Sequence, residues 1–388
     1  MSVTAPQGFR AAGVAAGIRP SGSPDVALVR SLPAAVGAAL WTANRVQAAP
    51  VVVSRRHLAV AEPQAVVINA GTANAATGAA GEADAVATAE AVAAELDLVP
   101  EQVLVLSTGV IGVPLPMERM LAGVHAASRS LSVEGGDAAA SAILTTDSGP
   151  KTAVAEGDGF VVGGMAKGAG MIHPRLATML AVLTTDYPLA AGEADRFLRP
   201  AVEVSFNRIS VDGDCSTNDA VVLLANGESG VARTAASDES FAAALTTVCR
   251  ELARMIVADG EGATVVLEIS VAGAASDEQA DAIARRVATS PLVKTAAFGR
   301  DPNWGRVLAA AGSAPWNDGF AELDPDRLSV SFDGVTVFER GAPTGRVPRL
   351  EGTACRVELD LGLGPGTSAY LASDLTYDYV RINAEYTT

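Results

Sequence analysis

Lysine is scarce in this chain. Its 388 residues include only Lys151, Lys167 and Lys294, so arginine supplies the other 25 of the 28 basic residues. Histidine and cysteine are equally few: His57, His125 and His173, and Cys215, Cys249 and Cys355. The cysteines are odd in number, far apart and without a CxxC spacing. That argues against a disulfide scaffold or a thiolate zinc site and points to a reducing compartment. No HxxxH or HExxH occurs, so no metal centre is expected. Positive charge is short as well: 28 Lys and Arg face 44 Asp and Glu, a formal charge of −16. So acidic a surface repels nucleic-acid phosphate and anionic lipid, and neither is expected as a partner. The apolar runs break at Gly, Ser, Thr or a charge well before the ~18 residues of a membrane span. The N-terminus, MSVTAPQGFRAAG, has no basic stretch leading into an apolar run. No secretory leader is expected, and the cytoplasm is the default location.

Apolar material is plentiful, at 49% of residues against 19% charged, which suits a large core and not a disordered chain. At ~150 residues per domain the length suggests about two or three domains. Short β-rich runs alternate with Ala-rich helical runs, the pattern of an α/β or α+β protein. Strands are expected at 64–69, 102–106, 178–183, 220–225, 264–271, 328–332, 336–339, 356–361 and 368–372. Helices are expected at 82–96, 116–131, 136–144, 192–206, 238–258 and 276–289, and another opens at Asp301-Pro302-Asn303-Trp304-Gly305-Arg306. Residues 152–155 and 160–164 flank the turn-forming Glu156-Gly157-Asp158-Gly159 and read as a hairpin. A glycine-rich stretch, 163–170, follows. No internal repeat is visible.

Four places could carry chemistry. Lys167 sits in the glycine-rich stretch, and reads either as a surface lysine beside a flexible loop or as an ammonium presented to a carboxylate ligand. It does not belong to a P-loop, since it precedes Gly168 instead of following a glycine into Ser or Thr, and no GxGxxG fingerprint is met there. Thr178 opens an apolar strand. It is either a β-branched strand residue or a residue that becomes N-terminal when the Ala177–Thr178 bond cuts itself. A hydroxyl needs a neighbouring base at neutral pH, and a terminal α-amine, with a pKa of ~7.7–8.0, can be that base. Thr108-Gly109 ends a strand; it is a turn, or a hydroxyl and an N–H placed to stabilise an oxyanion. Glu261, between two glycines, is a solvated loop carboxylate or the receiver of a substrate ammonium.

The run Lys167-Gly168-Ala169-Gly170-Met171-Ile172-His173-Pro174, followed by Leu176-Ala177-Thr178-Met179-Leu180, resembles the self-cleavage segment of the ornithine acetyltransferases (glutamate N-acetyltransferases) of arginine biosynthesis. The resemblance covers nearly the whole chain. It includes Ser107-Thr108-Gly109-Val110-Ile111-Gly112, Thr145-Thr146-Asp147, the polar loop 212–219, and Asp259-Gly260-Glu261-Gly262-Ala263. It continues through 290–295, 301–306 and the terminal residues 383–388. The resemblance implies an α/β, layered-sandwich fold like that of the self-processing aminopeptidases, with a smaller C-terminal α/β lobe. It implies an α chain of residues 1–177 and a β chain of residues 178–388, intertwined as one catalytic unit, and an α₂β₂ heterotetramer. Thr178 would then carry acetyl from N²-acetyl-L-ornithine to L-glutamate. Thr108 and Gly109 would form the oxyanion hole, and Thr145, Lys167, Thr178, Glu261, Asn383 and Thr388 would hold the amino-acid part of the substrate. No cofactor is implied; acetyl-CoA is a co-substrate if the chain is bifunctional. Two rival readings remain open: an amide hydrolase or aminopeptidase of the same architecture, and an uncut small-molecule binder.

Overall fold

A computed structural model describes residues 2–173 and 179–385. The chain falls into two units. The first comprises Met1–Asn207 and Asp214–Ile256, the second Arg208–Gly213 and Val257–Thr387.

The chain begins with β1 (Phe9–Val14), β2 (Val26–Ser31), β3 (Val36–Trp41), α1 (Ala49–Leu58), β4 (Ala65–Thr72), α2 (Gly78–Leu96) and β5 (Val103–Val110). There follow α3 (Met117–Arg129), α4 (Gly136–Ala142), β6 (Lys151–Glu156), β7 (Val161–Lys167), β8 (Leu180–Thr185) and α5 (Ala194–Glu203). Then come β9 (Ile209–Ser210), which belongs to the second unit, β10 (Ala220–Ala225) and α6 (Ala235–Ala258). One sheet has the order β1-β2-β4-β5 and the other β3-β10-β8-β7-β6.

These sheets explain the unbroken apolar runs. LAVLTT of β8 and AVVLLA of β10 are buried along their whole length, as a strand covered on both faces must be. Val66, Ile68, Leu104 and Leu106 of the first sheet share one core with Leu180, Val182, Val222 and Leu224 of the second. On its outer face the first sheet presents Leu28, Val67 and Val105 to Ala89 and Val92 of α2 and Val124 of α3. On the outer face of the second sheet lies α6. A Cβ added at Gly164 of β7 would come within 2.9 Å of its Val248 and Leu252. The first unit is therefore a helix–sheet–sheet–helix sandwich, the layered α/β fold expected from the sequence.

The expected hairpin strand 160–164 extends further than the sequence suggested, and no flexible loop adjoins Lys167 on its N-terminal side. Residues up to Lys167 are strand β7, paired with β6 on one side and β8 on the other. Gly163 and Gly164 are there because backbone and side chains press on them: a Cβ at Gly163 would lie 2.3 Å from the Ser2 carbonyl oxygen.

The second unit adds β11 (Val266–Ala274), α7 (Asp277–Ala288), α8 (Pro291–Phe298) and α9 (Trp304–Ala311). After a two-stranded ribbon, β12 (Pro315–Trp316) and β13 (Gly319–Phe320), come β14 (Ser329–Phe332), β15 (Val335–Glu339), β16 (Ala342–Pro343), β17 (Ala354–Asp360), β18 (Gly366–Ser373) and α10 (Tyr377–Glu385). Its sheet runs β16-β15-β14-β17-β11-β18-β9. Here burial alternates along β17 and β18, because one face alone carries the core. Leu267, Ile269, Val357 and Leu359 meet Ile283 and Val287 of α7 and Val307 of α9. Ser276, Ser290 and Asn303 cap the three helices, each side chain accepting from the backbone N–H three residues on. This is the smaller C-terminal α/β lobe.

Candidate active site

Near its end strand β5 carries Thr108 and Gly109. Gly109 has φ +133°, and a Cβ there would lie 2.2 Å from the carbonyl carbon of Gly71 on β4, so only glycine fits. The β4–β5 register shifts at Gly71 and Thr72, a local irregularity that re-aims the backbone of the strand end. The buried end is held from below. Asn218 Nδ2 donates to the Ser107 carbonyl at 2.9 Å and the Ala73 carbonyl at 2.7 Å. Ser107 Oγ donates to Asn69 Oδ1 at 2.6 Å.

Lys167, the last residue of β7, is 3% exposed and donates to Thr108 Oγ1 at 3.2 Å. An ammonium can only donate, so it takes a lone pair of that hydroxyl and leaves the hydroxyl proton for another acceptor. The surface-lysine reading is thereby overturned. Lys151 and Lys294 are buried too, so none of the three lysines is a solubility residue. Lys294, in the second unit, donates to the carbonyl and hydroxyl of Ser373. Its burial lowers the ammonium pKa to about 8, against the pull of Asp374 and Asp212.

Behind Lys167 lies Asp147, its side chain fully covered. Lys151 Nζ donates to Asp147 Oδ1 at 2.6 Å and the Gly168 N–H donates to the same oxygen at 2.6 Å. The Thr145 N–H donates to Oδ2 at 3.0 Å. Burial alone would push this carboxyl up. The charges of Lys167 and Lys151, with the hydrogen bonds from Lys151 and Thr145, outweigh that and hold it well below the usual carboxylate range. Asp147 thus fixes Thr145, Lys151 and the turn after Lys167 together. The sequence offered Thr145 as a substrate residue but gave Asp147 and Lys151 no role. A lysine four residues after an aspartate, in a chain with three lysines, was the available signal.

Asp219 is a second buried carboxyl, at the start of β10. Its Oδ1 accepts from the Met179 N–H at 2.8 Å. Its Oδ2 is buried with no hydrogen-bond partner among the described residues. Burial raises this carboxyl well above its ordinary range, and the Met179 hydrogen bond and the Lys167 charge only partly offset it.

Two expected residues meet in the second unit. Asn383 Nδ2 of α10 donates to Glu261 Oε2 at 2.8 Å. Thr376 Oγ1 ties the same loop to the start of α10, donating to the Gly262 carbonyl at 2.8 Å and accepting from the Tyr379 N–H at 3.1 Å. Ala177, Thr178 and Thr388 lie outside the described residues. The structure thus brings Thr108, Gly109, Lys167 and Thr145 together in one unit, and Glu261 with Asn383 in the other. Among the described residues no helix is long and apolar enough to cross a membrane.

The ArgJ family matches residues 10–388 of this chain. The arginine biosynthesis bifunctional protein ArgJ of Thermobifida fusca is 48% identical over 392 residues, covering 100% of both chains. Its namesake from Synechocystis is 44% identical over 412 residues, covering 100% of this chain and 98% of the relative. A solved ornithine acetyltransferase complexed with ornithine, from Mycobacterium tuberculosis, is 47% identical. It covers 45% of this chain and 94% of that chain with a TM-score of 0.40.

Proposed function

The chain belongs to the ArgJ family, and from that premise we propose that it moves acetyl from N²-acetyl-L-ornithine to L-glutamate through an acetyl ester on Thr178. The observation that carries the reading is the Lys167–Thr108 contact at the end of β5. Thr108 accepts from the ammonium and keeps its own proton to donate, while Gly109 adds a backbone N–H. Together they form a pair of donors for the oxyanion of acyl transfer. Such donors are worth about 3–4 kcal/mol each.

Thr178 is first released by the chain itself. Its Oγ attacks the Ala177 carbonyl carbon, the Ala177–Thr178 C–N bond breaks, and the nitrogen takes the hydroxyl proton. Water then hydrolyses the ester, leaving the Ala177 carboxylate and a free Thr178 with both amine and hydroxyl. In turnover that amine takes the hydroxyl proton as Oγ attacks the acetyl carbonyl, and ornithine leaves with a proton. The glutamate amine then attacks the acetyl ester, the ester C–O bond breaks, and Thr178 Oγ leaves with the proton given up by that amine, which restores the free threonine. Thr145, Lys167, Glu261, Asn383 and Thr388 hold the amino-acid part, Glu261 receiving an ammonium. The sheet order supports the expectation that both products stay in one body. β8 and β10, from beyond residue 178, alternate with or adjoin β3 and β7 from before it, and their ladders survive the cut.

The relatives are named bifunctional, and we extend that to acetyl-CoA as a second acetyl donor to glutamate in this chain. An α₂β₂ assembly in the cytoplasm completes the reading. Intact-mass spectrometry after brief exposure to N²-acetyl-L-ornithine tests it. Fragments 1–177 and 178–388 are expected, with acetyl on the second, and N-acetylglutamate forms once glutamate is added. An uncut chain that still transfers acetyl overturns the mechanism. Acetate as the sole product with glutamate present favours the hydrolase.

A further inference from the structure

Arg19 stands at the edge of the site in the first unit, and the residues assigned above do not include it. The loop that carries it, between β1 and β2, is built around the buried Asp25. Asp25 Oδ1 accepts from the Ala16 N–H at 2.6 Å, and Oδ2 accepts from the Arg19 N–H at 2.8 Å. The Asp25 carbonyl accepts from the Ala70 N–H of β4 at 2.8 Å. Ile18 is sealed in the core that includes Leu28 and Val67. Arg119 Nη1 of α3 donates to the Gly17 carbonyl at 2.6 Å. The backbone at residue 19 is thus held from several sides, and its side chain has a fixed starting point.

The stem of that side chain lies on Gly71. Gly71 has φ +106°, and a Cβ there would come within 3.0 Å of Arg19 Cγ. A side chain at residue 71 would push the arginine away. Gly71 is also the register partner of Gly109, the proposed oxyanion N–H. From Gly71 the guanidinium reaches Thr145, where Nη2 donates to the carbonyl at 3.5 Å. One side chain therefore runs from beside the oxyanion strand to the residue that Asp147 fixes. A guanidinium carries a fork of donors, and this bond uses a single N–H. Among the described residues no carboxylate pairs with it, and the half-buried group keeps its other donors open. The neighbouring ammonium groups are engaged: Lys151 on Asp147 and Lys167 on Thr108.

We propose that Arg19 receives a carboxylate of the amino-acid substrate. This deepens the function proposed above and rests on it. N²-acetyl-L-ornithine and L-glutamate both carry an α-carboxylate, which in the acetylated form is joined to the acetyl group through the nitrogen and Cα alone. Glutamate has a side-chain carboxylate besides. The planar fork of arginine matches both oxygens of either group, and no internal partner has to be displaced first.

The test compares the full chain as wild type, Arg19→Met and Arg119→Met, with KM and kcat measured for N²-acetyl-L-ornithine and for L-glutamate. Arg19→Met keeps an unbranched stem over Gly71 and removes the charge. A KM raised by about 10- to 100-fold is expected, the worth of a hydrogen-bonded charge pair. Loss of a binding contact leaves the chemical step alone, so kcat should stay within about threefold. A rise for both substrates, or for the acetyl donor alone, places the α-carboxylate at Arg19; a rise for glutamate alone places its side-chain carboxylate there. Unchanged KM for both substrates overturns the proposal, and so does a fall in kcat with KM unmoved. Arg119→Met loosens the same loop through Gly17 and should keep KM near wild type. An equal rise there would mean that order in the loop matters and not a contact with substrate, which also overturns the proposal. A wild type that transfers no acetyl overturns the parent reading instead, so the two failures are told apart.

Discussion

Asp147 and Asp219 are both buried aspartates in the first unit, and both lie within the electrostatic reach of Lys167, yet burial has opposite outcomes at the two. Asp147 has Lys151 on one oxygen, backbone N–H groups on both, and two ammonium charges nearby, and it stays ionised. Asp219 has one backbone N–H and the charge of Lys167 alone, and burial raises it well above its ordinary range. A buried carboxylate thus needs more than one neighbouring cation. It needs enough donors to replace the water around both oxygens. The two groups hold different parts of the site: the one with two ammonium neighbours fixes the lysine side, and the raised one accepts the Met179 N–H.

Removing the charge at Asp147 should have the largest effect. Asp147→Ala leaves Lys151 and Lys167 buried without their shared counter-ion. A loss of ~3–5 kcal/mol in unfolding free energy by urea titration is expected. Asp219→Asn, by contrast, should destabilise far less at neutral pH, since the amide keeps an acceptor for the Met179 N–H and carries no charge to desolvate. If both variants lose stability alike, the contrast between the two carboxyls is false.

The pH dependence of stability sharpens the same point, because the slopes have opposite signs. Asp147 is depressed in the fold. Its contribution is present above the unfolded value of ~3.9 and is lost as pH falls below it towards the folded value. Asp219 is raised in the fold, so the folded chain binds the extra proton, and stability falls as pH rises from ~3.9 through the folded value. In thermal melts against pH, Asp147→Asn should flatten the acid limb below pH ~4 and Asp219→Asn should flatten the decline above it. A change on the same side in both variants would mean that one assignment of charge is wrong.

Much of the scaffold around these carboxyls is legible in the sequence, and the reason is burial on two faces. The runs at 64–69, 102–106 and 220–225 read as strands because sheet and helix cover both sides and no polar residue interrupts them. β1 to β3 are not legible, since FRAAGV and VGAALW lean on Ala and Gly, which favour no strand by themselves. The hairpin strand at 160–164 was read too short, because what keeps Gly163 and Gly164 in β7, the close approach of Ser2 and α6, is tertiary. At the site, Thr108, Gly109 and Lys167 could be named from motif order. The roles of Asn218 and Asp219 could not, because their partners Ala73, Ser107 and Met179 are far along the chain; that of Lys151 was signalled only by its spacing from Asp147.

Asn218 allows a smaller test of the loop that carries Asp219. Asn218→Ala leaves the Ser107 and Ala73 carbonyls without their donor, for a cost of about 1–3 kcal/mol. Thr108 follows Ser107 directly, so kcat should fall while KM for N²-acetyl-L-ornithine stays near that of the wild type. An equal change in KM would place Asn218 in substrate binding and not beneath the oxyanion strand.

The smallest effect on stability belongs to a third carboxyl, Glu261, which is neither sealed nor crowded. Its partner Asn383 is exposed, and Asn383→Ala removes two hydrogen bonds, to Glu261 Oε2 and the Tyr379 carbonyl, that water can replace. Unfolding free energy should move by no more than about 0.5 kcal/mol. If Glu261 and Asn383 hold the substrate ammonium, the change appears instead as a raised KM for N²-acetyl-L-ornithine with the melting temperature unmoved. A fall in stability as large as that of Asn218→Ala, with KM unchanged, would make the Glu261–Asn383 pair a strut of the second unit. Degree of enclosure would then no longer separate the carboxyls that build this protein from the one that meets its substrate.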